Sequence, residues 1–335
     1  MTQLQSNGKK MSILEERGNN LTIVVPCYNE EAVVEETTRQ LSIILDKLSG
    51  EHLIGEGSRI LYVNDGSQDR TWELIEMLMK KNKYVTGIKF SRNFGHQDAL
   101  IAGLTVAKEH ADMTITIDAD LQDDVNAIPK MVQDYAEGKD VVYGVRNNRE
   151  TDTWFKRTTA KLFYRLMAGF GVKMVPNHAD FRLLSRRAMV GLLKYKEENL
   201  FLRGIVPLVG YPSSKVYYAR KSRFAGKTKY PLRKMLSFAV DGISSFSIAP
   251  IKAILYLGTI IVLLSLYLMI YTIIQWMVGN TTAGWSSLMI SIWFLGGVQL
   301  VSLSIIGEYV GKVFTEVKHR PRFEIETDFY SNQFK

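Results

Sequence analysis

Two long stretches in the last third of the chain carry no charged side chain. The first runs from Ala253 to Trp276 and the second from Trp285 to Gly307. Each exceeds the roughly 20 residues with which a helix crosses a hydrocarbon core of about 30 Å. Helices buried in a large soluble protein are the alternative, but two such stretches separated by one short neutral turn disfavour it. The sequence therefore predicts transmembrane helices at residues 250–278 and 285–310.

Basic residues flank this predicted hairpin on both sides, whereas its connecting loop contains none. They are Arg220, Lys221, Arg223, Lys227, Lys229, Arg233, Lys234, Lys252, Lys312, Lys318, His319, Arg320 and Arg322. Because Lys-rich and Arg-rich flanks stay in the cytoplasm, both termini are predicted to be cytoplasmic. Trp276 and Trp285 would then lie at the outer interface, where aromatic side chains are favoured.

The first two thirds of the chain alternate between strand and helix patterns. Strands are predicted at residues 21–25, 59–63, 86–90, 113–117 and 140–143, and helices at residues 30–48, 71–81 and 97–109. This alternation predicts an α/β fold with a mostly parallel sheet and right-handed crossovers. The chain lacks a Gly-x-Gly-x-x-Gly after the first strand and a Walker A lysine loop, which excludes a typical dehydrogenase and a P-loop NTPase.

Length, charge and cysteine content narrow the class further. The 335 residues carry a net charge of +8, which suits nucleic acid, an anionic membrane surface or anionic substrates. The apolar stretches favour the last two, so no nucleic-acid partner is expected. Cys27 is the only cysteine, which rules out a disulfide framework and predicts a thiol packed as a small apolar group.

Polar residues stand where several predicted strands end. Asp118 and Asp120 follow an apolar strand at an i, i+2 spacing, so their carboxylates leave an extended backbone on the same side. Two such oxygen ligands suit Mg²⁺ or Mn²⁺, and the metal suits a diphosphate. Solvated acids, with Asp118 as a helix cap, are the alternative. Arg146 and Arg149 follow the last predicted strand, where arginine suits phosphate through its bidentate fork, unless both are ordinary solvated side chains.

The loops after the first three strands carry similar signals. They are Pro26-Cys-Tyr-Asn-Glu30, Asn64-Asp-Gly-Ser67 and Ser91-Arg-Asn-Phe-Gly-His96. Since ligands bind at the carboxyl ends of parallel strands, these loops are expected to converge with Asp118 on one crevice. There Asp65 or Glu30 would accept hydrogen bonds from a ribose or a base edge. Taken singly, Asp65 also fits a turn residue and Glu30 a first-turn helix charge.

These loops, together with Asp118-Ala-Asp-Leu-Gln122 and the C-terminal hairpin, resemble family-2 glycosyltransferases with the GT-A fold. More narrowly, the chain is similar to the polyprenyl-phosphate glycosyltransferases, a group that includes dolichyl-phosphate mannose synthase and bacterial undecaprenyl-phosphate glucosyltransferases. The segments Ser91–His96, Asp180-Phe-Arg-Leu-Leu-Ser185 and Gly307-Glu-Tyr-Val-Gly311 resemble the bacterial subgroup. The resemblance covers residues 20–325.

The resemblance implies a role for each of several residues. It implies metal ligation by Asp118, Asp120 and Gln122, nucleotide binding by Pro26, Tyr28, Glu30, Asp65 and Asp118, catalytic roles for Asp120, Arg146 and Asp180, and acceptor-phosphate binding by Arg146, Arg149, Arg182, Arg223 and Lys227. Asp180 would act as a base or orient the acceptor, because a phosphate monoester is already mostly ionised near neutral pH. Asp123 and Val125 depart from the commoner pattern of relatives. The conformation of the loop after Asp120 therefore does not follow from the resemblance.

The resemblance also implies the reaction and its setting. A sugar would pass from a UDP-sugar, first of all UDP-glucose, to undecaprenyl or another polyprenyl phosphate with inversion, in a metal-dependent reaction that supplies cell-envelope glycan modification. UDP-N-acetylglucosamine is the alternative donor, and a non-enzymatic nucleotide-binding membrane regulator is the alternative of another class. The enzyme would be a multi-pass protein of the inner, cytoplasmic membrane and a homo-oligomer, favoured as a tetramer.

The predicted domain plan has six parts. It comprises a flexible tail at residues 1–20, the catalytic domain at 21–220, a basic juxtamembrane segment at 221–248, the helices at 250–278 and 285–310, and a cytoplasmic tail at 311–335. Residues 154–170 are predicted to form an amphipathic helix that lies at a membrane interface or packs on its own domain.

Overall fold

The structure, a computed structural model, describes residues 18–147, 178–198, 201–219, 249–279 and 284–334. Its strands are β1 (Leu21–Cys27), β2 (Arg59–Asn64), β3 (Val85–Phe90), β4 (Met113–Thr116), β5 (Val141–Arg146), β6 (His178–Ser185), β7 (Ser213–Tyr218) and β8 (Ile325–Asp328). Its helices are α1 (Val34–Gly50), α2 (Thr71–Lys81), α3 (His96–Ala107), α4 (Ile128–Ala136), α5 (Arg186–Leu192), α6 (Leu202–Leu208), α7 (Ala249–Met277), α8 (Trp285–Val317) and α9 (Phe329–Asn332). By their contacts, α7 and α8 form one unit and all other elements form a second.

The second unit is built on one sheet with the strand order β7-β5-β6-β4-β1-β2-β3-β8. Strands β1 to β4 pair in parallel, as do β5 and β7. Strand β6 runs antiparallel between β4 and β5, and β8 runs antiparallel at the edge beside β3. The predicted α/β class with a mostly parallel sheet is confirmed, while β6, β7 and β8 are strands that the sequence analysis does not predict.

The central strands are apolar on both faces because helices cover both sides of a parallel sheet. All seven residues of β1 are buried, and one large apolar cluster joins β1 to α1 and α4 while another joins β2 and β3 to α3. Cys27 is a buried free thiol, as predicted, and burial raises its pKa well above the ordinary value. The core thus fixes the carboxyl ends of β1 to β4 along one edge.

Strand β1 extends two residues past the predicted end at Val25. It includes Pro26, which pairs with Val63 of β2. On the other side of β1, the pairing with β4 covers only Leu21–Val24. Proline lacks an N–H and is tolerated where a ladder does not require that donor. Pro26 therefore ends the pairing with β4 without ending the strand.

Helices α7 and α8 are long and apolar enough to cross a membrane. The qualifying stretches are Ile254–Gln275 and Phe294–Val317, and neither is buried inside the protein. Helix α8 is 33 residues long and runs past the predicted end at residue 310. Residues 325–328, predicted as part of a C-terminal tail, instead form β8 in the sheet unit. The predicted amphipathic helix at 154–170 and the segment at 221–248 lie outside the described residues.

Candidate functional site

The loops after β1 and β2 are joined to each other by hydrogen bonds. The Asp65 N–H donates to the carbonyl of Cys27 at 2.9 Å, and the Asn29 N–H donates to the Ser67 hydroxyl at 3.0 Å. The Glu30 N–H donates to Thr71 Oγ1 at 2.9 Å. Tyr28, between these contacts, is 43% exposed. These bonds therefore fix the backbone on either side of Tyr28 beside the strand ends.

Asp65 attaches the loop after β3 to the loop after β2. Its carboxylate accepts from the Phe94 N–H at 2.7 Å, from the Gly95 N–H at 3.0 Å and from Asn93 Nδ2 at 3.0 Å. Burial raises the pKa of Asp65, although the Phe94 and Gly95 N–H groups oppose it. A side chain at Gly66, which has φ of 65°, would meet the Arg92 carbonyl carbon at 2.4 Å, so only glycine permits this approach. Both oxygens of Asp65 thus hold the loop that ends at α3.

The segment after β4 carries the two acids predicted to hold a metal. Its backbone is fixed by the Ile117 N–H, which donates to Val24 at 3.1 Å, and by the Thr37 hydroxyl, which donates to the Ala119 carbonyl at 2.8 Å. The Gln122 N–H donates to Asp120 Oδ1 at 3.2 Å, which turns the chain back immediately after Asp120. The predicted set Asp118, Asp120 and Gln122 is therefore brought together by one short turn.

Asp118 holds an enclosed carboxylate oxygen. Its side chain is 35% exposed as a whole, but Oδ1 is buried; this oxygen makes no hydrogen bond with a described residue and lies 3.5 Å from His96 Nε2. Burial raises its pKa to about 6, His96 lowers it, and Asp180, Asp123 and Asp120 add to the rise. A buried carboxylate oxygen that makes no hydrogen bond is a position that a cation stabilises, either the neighbouring imidazolium or a metal ion. The residues present therefore fit a divalent metal ion.

A metal at this position would be completed by its substrate. Within the described ranges, no three His, Cys, Asp or Glu side chains are grouped to hold a metal ion by themselves. Mg²⁺ is commonly bound by one or two carboxylates together with substrate phosphates. Asp118 and Asp120 match that pattern, with Gln122 as the neighbouring amide.

The loop after Asp120 forms the next part of the site through Asp123. Its Oδ1 accepts from Arg146 Nη2 at 2.8 Å, from Arg146 Nε at 3.1 Å and from the Tyr218 hydroxyl at 2.6 Å. Burial lowers the pKa of Arg146, but Asp123 and Tyr218 outweigh that effect and raise it above the ordinary value. Asp123 thus fixes the predicted phosphate-binding Arg146, whose side chain remains 25% exposed. Asp124 caps the short 3-10 turn Val125–Ala127.

Asp180 lies on β6, which enters the sheet beside β4. The register pairs Thr116 with Arg182, and the Thr116 hydroxyl donates to the Asp180 carbonyl. The Asp180 carboxylate forms ion pairs with Arg182 and with Arg203, the latter at 3.1 Å. Burial raises the pKa of Asp180, but Arg203, His96 and Arg182 outweigh burial and hold the pKa well below its ordinary value. Such a carboxylate stays ionised and is a weak base.

His96 lies between the two acidic centres. Its Nε2 is 3.5 Å from Asp118 Oδ1 and 3.8 Å from Asp180 Oδ2, and its side chain is 43% exposed. Burial lowers its pKa, but Asp180 and Asp118 outweigh burial and raise it. As the first residue of α3, His96 is positioned by the loop that Asp65 holds. The imidazole therefore links the end of β4 to the buried cluster on β6.

Arg182 is placed differently from its predicted role. Its side chain is 2% exposed, and its guanidinium contacts Asp180 and the Leu202 carbonyl. Because its guanidinium is buried and paired with Asp180, Arg182 has no exposed face that could bind an acceptor phosphate. The predicted contact with the acceptor therefore does not suit this position. Arg149, Arg223 and Lys227 lie outside the described residues.

Four residues of the site are absent from the set predicted by sequence. His96 and Asp123 stand in strand-end loops whose position already marked them, but their partners are distant along the chain. Tyr218 contacts a residue 95 positions away, and Arg203 contacts one 23 positions away. Neither lies in a recognisable motif, so only the folded sheet identifies these two.

Comparisons with known proteins agree with this architecture. The family described as Glycosyl transferase family 2 matches residues 22–191. An uncharacterized glycosyltransferase of Bacillus subtilis (strain 168), YkoT, is 57% identical over 313 residues, which are 93% of this chain and 93% of that protein. The bactoprenol glucosyl transferase of Shigella phage SfV is 37% identical over 313 residues, covering 92% and 98%.

Among solved structures, a glucosyl-3-phosphoglycerate synthase from Mycobacterium tuberculosis matches 71% of this chain and 82% of its own, with 17% identity and a TM-score of 0.44. The family match spans β1 to α5 and therefore includes Asp65, Asp118, Asp120 and Asp180. The relatives match both units of the chain, because more than nine tenths of it is covered. The chain belongs to glycosyltransferase family 2, with a sheet of the GT-A type and two C-terminal apolar helices.

Proposed function

We propose that the protein is a membrane-bound, inverting glycosyltransferase that moves glucose from UDP-glucose to undecaprenyl phosphate. The product would be a lipid-linked monosaccharide used to modify a cell-envelope glycan. The observation that carries this proposal is the 37% identity to a bactoprenol glucosyl transferase over 92% of the chain. That extent includes the apolar helices as well as the sheet, so the similarity is not limited to a general sugar-nucleotide domain.

The donor side of the reaction belongs to the ends of β1, β2 and β4. Tyr28 presents an exposed ring suited to stacking on a base, and Glu30 lies beside it on the same loop pair. Asp118, Asp120 and Gln122 would hold Mg²⁺ or Mn²⁺ together with the diphosphate. When bound, the ion acts as a Lewis acid that stabilises the charge developing on the leaving nucleoside diphosphate.

The acceptor side belongs to Arg146. Asp123 and Tyr218 fix its guanidinium by three hydrogen bonds, while a quarter of the side chain remains exposed. A guanidinium held in this way would bind the acceptor phosphate in one orientation, which is how positioning lowers the barrier. The lipid phosphate is already ionised near neutral pH, since its second pKa is about 6. The reaction therefore needs no strong general base, in agreement with the weak basicity of Asp180.

The buried cluster around Asp180 has a positioning role in this proposal. Asp180 remains anionic between Arg182 and Arg203, and His96 extends from this cluster to Asp118. The arrangement keeps the imidazole beside Asp118, the carboxylate on the sugar-donor side. Asp180 stays ionised and does not have to accept a proton. Attack by the lipid phosphate on the sugar carbon opposite the leaving diphosphate then inverts the anomeric centre.

As a glycosyltransferase of this kind, the protein would reside in the cytoplasmic membrane. Helices α7 and α8 supply two candidate spans, and basic residues flank them on the side of both termini. An acceptor anchored in the cytoplasmic leaflet requires a catalytic unit on that side of the membrane. A homo-oligomer, with a tetramer as the first expectation, belongs to the same proposal.

The test is a transfer assay with the purified full-length protein. UDP-glucose, UDP-N-acetylglucosamine and GDP-mannose, each with a labelled sugar, are incubated with undecaprenyl phosphate and either Mg²⁺, Mn²⁺ or EDTA. We expect label to enter the organic phase from UDP-glucose, and only with a divalent metal. Transfer from another donor alone would correct the sugar, and transfer from none of a broad panel would overturn the enzymatic proposal.

A pair of variants separates the site from general loss of structure. Asp118→Asn and Asp120→Asn are each expected to reduce kcat by at least about 100-fold, since each removes an anionic ligand from the proposed metal site. Asp124→Asn makes the same chemical change a few residues away, where asparagine retains the cap of the 3-10 turn. Equal activity of all three variants would contradict the assignment of the metal site.

A further inference from the structure

A pocket lies on the sheet unit, and its lining shares no residue with the strand-end site. Its volume is about 380 Å³. The lining residues come from the second half of α3 and the residue that follows it, the segment after α5 and the segment before β8: Ile101, Thr105, Lys108, Leu193, Tyr195, Lys196, Pro321, Arg322 and Phe323. None of them belongs to the Asp118, Asp123 or Asp180 clusters. The proposed transfer reaction therefore leaves this pocket without a role.

Every charged side chain that lines the pocket is cationic. Lys108, Lys196 and Arg322 come from three separate elements and converge there. Gathering like charges is unfavourable unless an anion offsets them. Lys108 has an exposed partner, Glu109, at 3.5 Å, and Asp98 lies close enough to Arg322 to respond to its charge. These acids, with Glu198 beside Asp98, offset part of the positive charge but do not line the pocket, so the three cations are the only charged groups that an occupant would meet among the described lining residues.

The inner wall of the pocket is apolar and held in place by the core. Ile101 is 7% exposed, and Phe323 stacks on the buried Phe90 with a ring-centroid distance of 5.4 Å. The Arg322 guanidinium donates to the Glu197 carbonyl, which joins the segment before β8 to the segment after α5. A cationic rim above a fixed apolar wall suits an anion that carries an apolar body.

The position of the pocket along the chain selects the kind of anion. Pro321 stands four residues after Val317, the last residue of α8, a candidate membrane span. We propose that this pocket binds the phosphate head group of an acidic phospholipid, such as phosphatidylglycerol, in the leaflet next to the catalytic unit. This inference rests on the membrane location given under the proposed function.

The test measures lipid retention directly, apart from sugar transfer. The full-length protein in neutral detergent is titrated with phosphatidylglycerol, phosphatidylcholine of the same chains, or inorganic phosphate, and bound lipids are counted by native mass spectrometry. One basic residue near an anionic surface contributes about fivefold in affinity. We therefore expect at least a tenfold preference for phosphatidylglycerol in the wild type, and a preference below about threefold in Lys108→Gln/Lys196→Gln/Arg322→Gln.

Two further variants keep the test decisive. Lys108→Gln/Lys196→Gln leaves the Arg322 contact with Glu197 intact, so it covers the case in which the triple variant does not fold. Lys47→Gln/Lys80→Gln/Lys81→Gln removes three exposed charges that do not line the pocket and should keep the preference. An equal loss in this control, or no lipid preference in the wild type, would overturn the site.

The remaining arms separate the ligand from the enzyme activity. If inorganic phosphate competed as strongly as the lipid, the occupant would be a free anion and the lipid assignment would be wrong. The same preparations are assayed for sugar transfer to undecaprenyl phosphate. Absence of transfer with intact lipid preference would contradict the proposed function alone, and intact transfer without any lipid preference would contradict this inference alone.

Discussion

Asp180 shows how the surroundings of a single residue decide what it can do. Two arginines and a histidine hold its pKa well below the ordinary value although burial alone would raise it. An acid in a family motif is easily taken for a general base, and the sequence left that role open. The ion pairs make the carboxylate a fixed negative charge instead. Its partner Arg182 is equally enclosed, so the pair must be considered together.

Asp180→Asn is expected to destabilise the protein by about 3 kcal/mol, because it leaves the buried charge of Arg182 without its partner. Unfolding in denaturant, in detergent, measures this change. Asp180→Leu combined with Arg182→Met removes both charges and should recover part of the loss, since apolar replacements of a buried pair are often tolerated. Equal stability of the single and double variants would show that the two charges are not coupled.

A second residue-scale prediction concerns pH and Asp98. Burial raises the pKa of Asp98 to about 6, with Arg322 opposing and Glu198 adding to the rise. Its ordinary value is 3.8, so between about pH 4 and pH 6 the folded protein binds a proton that the unfolded chain has released. The stability that this carboxyl contributes is therefore complete below pH 4 and lost as pH rises through 6.

Asp98→Asn should remove that pH dependence. We expect the variant to have a higher Tm than the wild type above pH 6, and the difference to disappear near pH 4. Thermal unfolding across pH 4–8 measures it. Glu35→Gln, an equal charge loss at an exposed position of α1, serves as the control, and its Tm should not show this pH-dependent gain over the wild type. A constant difference between Asp98→Asn and wild type at all pH values would contradict the prediction.

At the scale of elements, the segment after α8 completes the sheet. Strand β8 pairs with β3, and α9 buries Tyr330, whose hydroxyl lies 2.9 Å from Thr22 Oγ1 of β1. Phe323 stacks on Phe90 of β3. Without this segment β3 would be an exposed edge, which is a site for aggregation. A short polar-looking terminus thereby becomes part of the core.

Tyr330 gives the element-scale prediction. Tyr330→Ala removes a fully buried ring and should lower the free energy of unfolding by about 3 kcal/mol. Tyr330→Phe keeps the ring and loses only the hydrogen bond to Thr22, for which we expect about 1 kcal/mol. Tyr217→Ala, at a ring that is 61% exposed, should change stability by no more than about 0.5 kcal/mol. Denaturant unfolding of the three variants measures the order, and equal values for Tyr330→Ala and Tyr217→Ala would contradict it.

At the scale of the whole molecule, one unit is interrupted by the other in sequence. The sheet unit is completed by residues 320–334, which follow the two apolar helices. The chain up to residue 248 contains the predicted catalytic domain but not β8 or α9. The boundaries predicted for the catalytic domain therefore differ from those of the folded sheet unit, which includes the segment after α8.

Two shortened chains test this organisation. A chain ending at residue 248 is expected to aggregate or to unfold at least about 10 °C lower, because β3 and the Tyr330 contact are left uncovered. A chain in which a flexible linker of about 30 residues replaces residues 249–319 keeps β8 and α9 and should be soluble and more stable. Size-exclusion chromatography and thermal unfolding compare them. Equal behaviour of the two chains would show that the C-terminal segment is not needed.

Features that are encoded in contiguous residues could be predicted without the fold. Apolar runs gave the strands from β1 to β5 and the two candidate spans, because burial of a strand or a span requires an unbroken local pattern. The loops at the strand ends gave Asp118, Asp120 and the family resemblance. The position of Asp65 after β2 likewise predicted that it lies near the site. Its hydrogen bonds to the Phe94 and Gly95 N–H groups could not be predicted in this way.

Contacts between residues that are distant along the chain follow only from the folded sheet. Insertion of β6 between β4 and β5 brought Asp180 beside Asp118 through His96, and placed Arg182 inside the sheet. Asp123 found Arg146 and Tyr218, which no spacing in the chain relates. Such pairs depend on strand order and on the balance between burial and charge pairing. That balance is a property of the packed sheet, not of any short segment.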